Sequence, residues 1–189
     1  MYMSKVEEKL KAVPPKSVII VETPLEENQI GLIADFLKFS RNEKGIYVSS
    51  NRPVNDAVEK LLTYNFDLRE ALEAGRIFVI DLMSRSVGAS EVKGSIYVSS
   101  PSELSATQMA IEKAFERIDS GAGKTWLLLD SISTLLVYNS PDAFLQFLHF
   151  LIGRLRVLQF NGVIFTVRDS IEEKVLSTIR QFCDMVIKL

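Results

Sequence analysis

Ser120-Gly-Ala-Gly-Lys-Thr125 combines glycines, a lysine and a hydroxyl residue, the set with which a P-loop cradles phosphate. The full pattern, GxxxxGK[ST], needs its first glycine at position 118, which is Ile118. A helical pattern precedes the segment and an apolar strand follows it, the reverse of a P-loop. No helix N-terminus would then face a bound phosphate. The segment is expected to be a turn at the amino edge of a sheet, with Lys124 facing solvent. Asp130 matters more. It ends the apolar run Trp126-Leu-Leu-Leu-Asp130 and is followed by Ser131. A carboxylate just past a strand can hold a hard cation through oxygen, or it can cap the next turn or pair with a nearby cation.

Asp81 ends an apolar run in the same way, and a turn role is expected for it. Glu22, Glu26 and Glu27, with Asp130 and Asp81, would crowd one sheet edge with carboxylates if they met, as a Ca²⁺ or Mg²⁺ site requires. The competing reading is a solvated helix start, where acidic groups suit the helix dipole. His149 has no second histidine to act with and reads as a packed or interface residue. Cys183 reads as a buried structural thiol, because no neighbouring His or cation suggests a thiolate. Arg154, Arg156, Arg168 and Arg180 are scattered cations, suited to surface ion pairs or to one intersubunit contact. The run from Phe144 to Leu158 is apolar over more than half of a helix circumference, as in a deep core helix or a subunit interface.

Short apolar runs that alternate with amphipathic segments must position these residues. Strands are expected at Ser17–Glu22, Gly45–Ser50, Arg76–Asp81, Thr125–Asp130, Gly162–Arg168 and Met185–Leu189, with a strand-like segment at Ile96–Ser99. Helices are expected at Glu26–Ser40, Pro53–Tyr64 (started by Asn51 or Pro53), Asp67–Ala74 (capped by Gly75), Ser102–Ile118 (capped by Ser102 or Ser105), Pro141–Gln159 and Ser170–Phe182 (capped by Ser170). Leu82–Gly94 reads as a loop. Residues 1–15 form a polar, helical N-terminal extension and do not resemble a signal peptide. Lys44-Gly-Ile-Tyr-Val-Ser-Ser50 resembles Lys93-Gly-Ser-Ile-Tyr-Val-Ser-Ser100, read as two similar strand-to-helix turns, with a partial duplication as the alternative. The alternation implies βαβ units: an α/β fold of three αβα layers around a mainly parallel sheet. Ligands of such folds bind at the carboxyl ends of the strands.

The 189 residues suit one domain, 1–189. A hydrophobic content of 47% supports a sizeable core. The formal net charge of -2 and the mixing of signs leave no basic block, which argues against a nucleic-acid partner. One cysteine permits no intrachain disulfide and fits a cytoplasmic protein. No apolar run reaches the ~20 residues that span a bilayer. Charged residues at 24%, with one His and one Cys, also suit a thermophile.

From about Lys16 to Leu189 the chain resembles the RecA-like ATPases of the KaiC type, found widely in archaea. Tyr47-Val-Ser49, Leu129-Asp-Ser-Ile-Ser-Thr-Leu135 and Asp184-Met-Val-Ile-Lys-Leu189 carry the resemblance. It implies a RecA-like, P-loop NTPase-like topology. Active members place a P-loop after the first strand and two glutamates after the second, one of which activates water. A Walker B aspartate holds the metal through water. Overlaid on this chain, the P-loop falls on Thr23–Ile30. Its glycines become Thr23, Glu26 and Asn28, its lysine becomes Gln29, and its metal-binding hydroxyl residue becomes Ile30. The glutamates become Asn51 and Arg52, neither a plausible general base at neutral pH. Residues with a Cβ resist the curl that wraps backbone N–H groups around phosphate. Glutamine offers only a neutral dipole, and isoleucine cannot ligate Mg²⁺. Asp130, with Ser131, is the Walker B remnant. The resemblance therefore implies a degenerate member, a pseudo-ATPase with no catalytic residue, cofactor or metal, acting through a protein partner or self-association. The alternatives are a sensor of ATP or another ligand in a repurposed pocket at the strand ends, or an ATP binder completed by a partner subunit.

Overall fold

The computed structural model describes residues 8–24, 29–118 and 124–189. Val18–Thr23 forms β1, and all six residues are buried. A strand buried on both faces reads as a continuous apolar run because helices cover both sides. Gln29–Phe39 forms α1 and Lys44–Ser49 β2. Val54–Thr63 and Leu68–Glu73 form α2 and α3, and Ile77–Asp81 forms β3. The Asp67 side chain caps α3 by accepting from Glu70 N, and Gly75 ends that helix region at φ 64°, a conformation that costs glycine little.

Ser84–Val87 is a short helix, α4, inside the segment expected to be a loop. Ile96–Tyr97 forms β4, Leu104–Arg117 α5 and Thr125–Asp130 β5. Ile132–Tyr138 forms α6, a helix the sequence pattern did not announce. Pro141–Leu158 forms α7, with Pro141 in its first turn and Ser140 accepting from Ala143 N. Asn161–Val167 forms β6, Glu173–Phe182 α8 and Met185–Lys188 β7. Two caps differ from expectation. Glu103 occupies the N-cap of α5, without a side-chain bond, in place of Ser102 or Ser105. Glu172 occupies that of α8, while the Ser170 hydroxyl donates to Val167 O.

The strands pair in the order β4-β3-β2-β5-β6-β1-β7, and every pairing is parallel. Alternation along each strand divides the core in two. Val18, Ile20, Ile46, Val48, Leu127 and Leu129 face α5 to α8. Ile19, Val21, Tyr47, Trp126 and Leu128 face α1 to α3. Each fully buried apolar side chain of this kind contributes roughly 1.5–3 kcal/mol relative to exposure. On α7, Phe144, Phe147, Leu148, Leu151, Ile152 and Leu155 enter the first core, while Phe150 and Val157 stay exposed. No described helix is long and apolar enough to cross a membrane.

The two similar Lys-Gly segments do different work. The first becomes β2, paired on both sides, and the second reaches only the two-residue edge strand β4.

Candidate functional site at the carboxyl edge of the sheet

Strand period two decides which chemistry-bearing residues share a face. Tyr47, Ser49, Asp81 and Asp130 lie on the α1–α3 face near the carboxyl ends of β2, β3 and β5. Glu22 lies in phase with Val18 and Ile20 on the opposite face. Of the carboxylates considered as one cluster, the three described ones are thus divided by the sheet, Glu22 on one face and Asp81 and Asp130 on the other. Among the described residues no group of three or more His, Cys, Asp or Glu side chains converges as a metal site would require. Glu26, Glu27 and Asn28 lie outside the described residues.

Asp130 is buried at the end of β5, between β2 and β6. Its Oδ2 accepts from the Tyr47 hydroxyl at 3.0 Å, and its Oδ1 has no protein partner. Burial pushes its carboxyl up to about 6, against the Tyr47 hydrogen bond and the positive charge of Arg52, both of which favour the ionised form. Tyr47 in turn is raised well above its ordinary value, chiefly by burial and next by the Asp130 charge. The Asp130–Ser131 peptide is cis. Ser50 clamps this turn. Its backbone N–H donates to Asp130 O at 2.6 Å, its hydroxyl lies 2.6 Å from Asp130 O, and it accepts from Ser131 N at 2.7 Å. The Ser131 hydroxyl is buried without a partner. Tyr47 and Ser50 were not foreseen as contacts of Asp130. The readable signal was their place in Tyr47-Val-Ser-Ser50, beside β5.

The other overlaid positions occupy well-defined surroundings. Thr23 is buried and donates to Thr166 O at 3.1 Å, which ties β1 to β6. Gln29 and Ile30 are both buried in the first turn of α1, and Gln29 Nε2 has no acceptor. Asn51 accepts from the Thr134 hydroxyl at 3.1 Å. Arg52 donates to Asp56 at 2.9 Å, one helical turn further on, and its Nε has no acceptor.

Asp81 works as a structural acceptor. It receives the N–H groups of Val54, Met83 and Ser84 at 2.7, 2.7 and 2.8 Å and the Ser84 hydroxyl at 2.5 Å. It thereby caps the starts of α2 and α4 at once, and its lone pairs are spent on them. Glu22, fully buried, accepts two bonds from Arg180, at 2.6 and 3.0 Å, and Arg180 also donates to Glu173 at 2.6 Å. The Glu22 hydrogen bond holds the guanidinium above its ordinary value.

The other three arginines singled out in the sequence are engaged within the chain. Arg154 makes a two-point pair with Glu112 at 2.7 and 2.8 Å, Arg156 reaches Asp184 and Phe182 O, and Arg168 reaches Leu189 O. His149 is exposed on α7 and its ring lies 4.9 Å from that of Phe182. Burial and the Asp184 charge push the Cys183 thiol up to about 12, which excludes a reactive thiolate near neutral pH. Lys124 is exposed at the amino edge of the sheet.

Three solved structures share this architecture at low sequence identity. A KaiC-like protein from the hyperthermophilic archaeon Pyrococcus horikoshii OT3 is 13% identical with a TM-score of 0.66, over 93% of this chain and 72% of that one. The flagellar accessory protein FlaH from Methanocaldococcus jannaschii is 17% identical with a TM-score of 0.69, over 100% and 77%. An uncharacterized protein from Pyrococcus horikoshii, solved in complex with an unknown peptide, is 14% identical with a TM-score of 0.68, over 98% and 82%. At such identities the likeness speaks to the fold, which is a three-layer RecA-like α/β fold. No curated protein matches the sequence. Residues 16–189 match the model of DUF7504, a family of unknown function, and the chain belongs to that family.

Proposed function

We propose that this chain is a single RecA/KaiC-like domain that does not hydrolyse ATP and acts as a regulatory or protein-interaction module. The observation that carries the proposal is the environment of Asp130. A metal-holding aspartate needs a wet, cation-accessible carboxylate with companion oxygen ligands. Here the carboxylate is buried, one oxygen is held by the Tyr47 phenol, and the fixed cation acting on it is Arg52. Asn51 and Arg52 supply no carboxylate to activate water, and Gln29 and Ile30 supply neither a cation nor a metal ligand. Absence of phosphate release from ATP·Mg²⁺ above the buffer rate, assayed on the full chain, is the expected result. Turnover abolished by Asp130→Asn would overturn the proposal.

A second reading has one observation in its favour. Gln29 Nε2, Ser131 Oγ and Asp130 Oδ1 are buried without partners near the carboxyl edge, and buried polar atoms normally find one. A sensor that binds ATP or another polar ligand there without turnover, alone or completed by a partner subunit, would engage them. Saturable nucleotide binding with no phosphate release is the outcome that selects this reading.

A further inference from the structure

Large apolar side chains exposed singly are normal on a protein surface, whereas a concentration of them marks a contact. Among the described residues nine are exposed, and four of these, Val137, Tyr138, Phe150 and Val157, fall between the end of α6 and the end of α7. On α7 the exposed positions Ala143, Gln146, Phe150, Gly153 and Val157 recur at intervals of 3, 4, 3 and 4 residues, one seam along the outward face. That is the spacing with which two helices pack side by side. Gly153 sits in mid-helix, where glycine is destabilising. A Cβ there would meet nothing within 4 Å. No packing within the described residues calls for that glycine, and it leaves room for a second backbone to approach.

The seam is its own complement. Run antiparallel against itself about the level of Leu148, it sets Ala143 opposite Gly153 of a second copy, and Gln146 opposite Phe150. Asp142 then comes beside Arg156 of that copy, twice by symmetry. Asp142 is exposed and has no ion-pair partner among the described residues. Arg156 spends one guanidinium nitrogen on both Asp184 and Phe182 O, and the rest of its fork is free to pair. Val157 falls opposite the segment just before α7, where Val137 and Tyr138 of the second copy are exposed. A patch that matches itself under a two-fold rotation is what an isologous interface requires.

We propose that the outward face of α7 binds a second copy of this chain in an antiparallel two-fold dimer, with Gly153 against Ala143 at the closest approach and the Asp142–Arg156 pairs setting the register. The inference rests on the reading of the chain as an interaction module and names its partner. A seam on one helix of 18 residues, ~27 Å long, makes an interface at the low end of specific contacts, so dissociation in the micromolar range is expected.

Sedimentation equilibrium of the full chain, from micromolar to submillimolar concentration, is expected to show a monomer–dimer equilibrium. Gly153→Leu is expected to leave a monomer whose melting temperature holds or rises, because leucine is the better helix former and meets nothing within its own chain. Asp142→Lys is expected to weaken the dimer about tenfold, as two exposed pairs turn repulsive. Combining it with Arg156→Glu is expected to recover the loss, because both pairs are restored with their charges exchanged. A parent that stays monomeric overturns the proposal, while the phosphate-release assay still decides the non-hydrolysing reading separately. A dimer that Gly153→Leu leaves intact also overturns it, by placing the contact on another face. So does a charge-exchanged variant no tighter than Asp142→Lys, which refutes the register.

Discussion

Asp130 ionises inside the protein against the cost of burial, and that cost has a pH signature. Its carboxyl stands at about 6, against 3.8 ordinarily. Between those values the folded chain holds more proton than the unfolded chain. The contribution of this group to stability is therefore full below about pH 4 and is lost as pH rises through 6. Two units correspond to roughly 3 kcal/mol as an upper bound. Asp130→Asn keeps an acceptor for the Tyr47 hydroxyl and removes the charge. Urea unfolding should show the variant as stable as the parent near pH 4 and more stable above pH 7, by on the order of 1–3 kcal/mol. A variant less stable at pH 7 would mean that the ionised carboxylate is held by something other than Tyr47 and Arg52.

The sequence made Asp130 visible because it ends an apolar strand. It did not reveal how Asp130 is satisfied. That depends on Tyr47 and Ser50, about 80 residues away, which meet it only through the pairing of β2 with β5. The separation of Glu22 from Asp130 follows from strand phase and was available in principle. Glu22 is even-numbered on β1 with Val18 and Ile20, and Asp130 is in phase with Trp126 and Leu128.

At the scale of elements, two contacts hold neighbours in register. Gly45 on β2 stands opposite Trp126 on β5, and a Cβ there would lie 2.2 Å from the indole ring. Neither strand can withdraw from the centre of the sheet, so Gly45→Ala should destabilise by about 2 kcal/mol or more, read as a lower melting temperature and a changed Trp126 fluorescence. The Glu22–Arg180 pair fastens α8 to β1 across the first core. Arg180→Ala leaves a fully buried carboxylate uncompensated and should cost about 3 kcal/mol or more by urea unfolding. Glu22→Leu combined with Arg180→Leu should recover most of that loss, because no buried charge remains.

The strands and long helices were legible in the sequence because each carries one clear period. The helices α4 and α6 were not, for different reasons. α4 has four residues and no apolar stripe, and its start is organised by Asp81 from the preceding strand. α6 is Ile-Ser-Thr-Leu-Leu-Val-Tyr, rich in residues that favour strands, and it is helical because Ile132 and Leu135 bury against the sheet. The cap of α8 moved from Ser170 to Glu172 because the Ser170 hydroxyl is used by Val167 O and Ser133.

At the scale of the whole molecule, one parallel sheet separates two faces with different chemistry. Asp130 lies on the face covered by α1 to α3, and α7 covers the other. A protein-interaction role requires surface for contact, and the exposed Phe150 and Val157 on α7 provide an apolar stretch. If self-association is the contact, light scattering at micromolar concentration should give a mass above the 21.3 kDa of one chain, and Val157→Glu should lower it without changing the melting temperature. A clean monomer removes self-association and leaves a different partner.

The central claim is that the RecA-like scaffold here no longer serves ATP. Isothermal titration of the full chain with ATP in excess Mg²⁺ tests it most directly. The account predicts no saturable heat at micromolar to submillimolar nucleotide, for the parent and for Asp130→Asn alike. One-to-one binding in the micromolar range, weakened by Asp130→Asn, would contradict it.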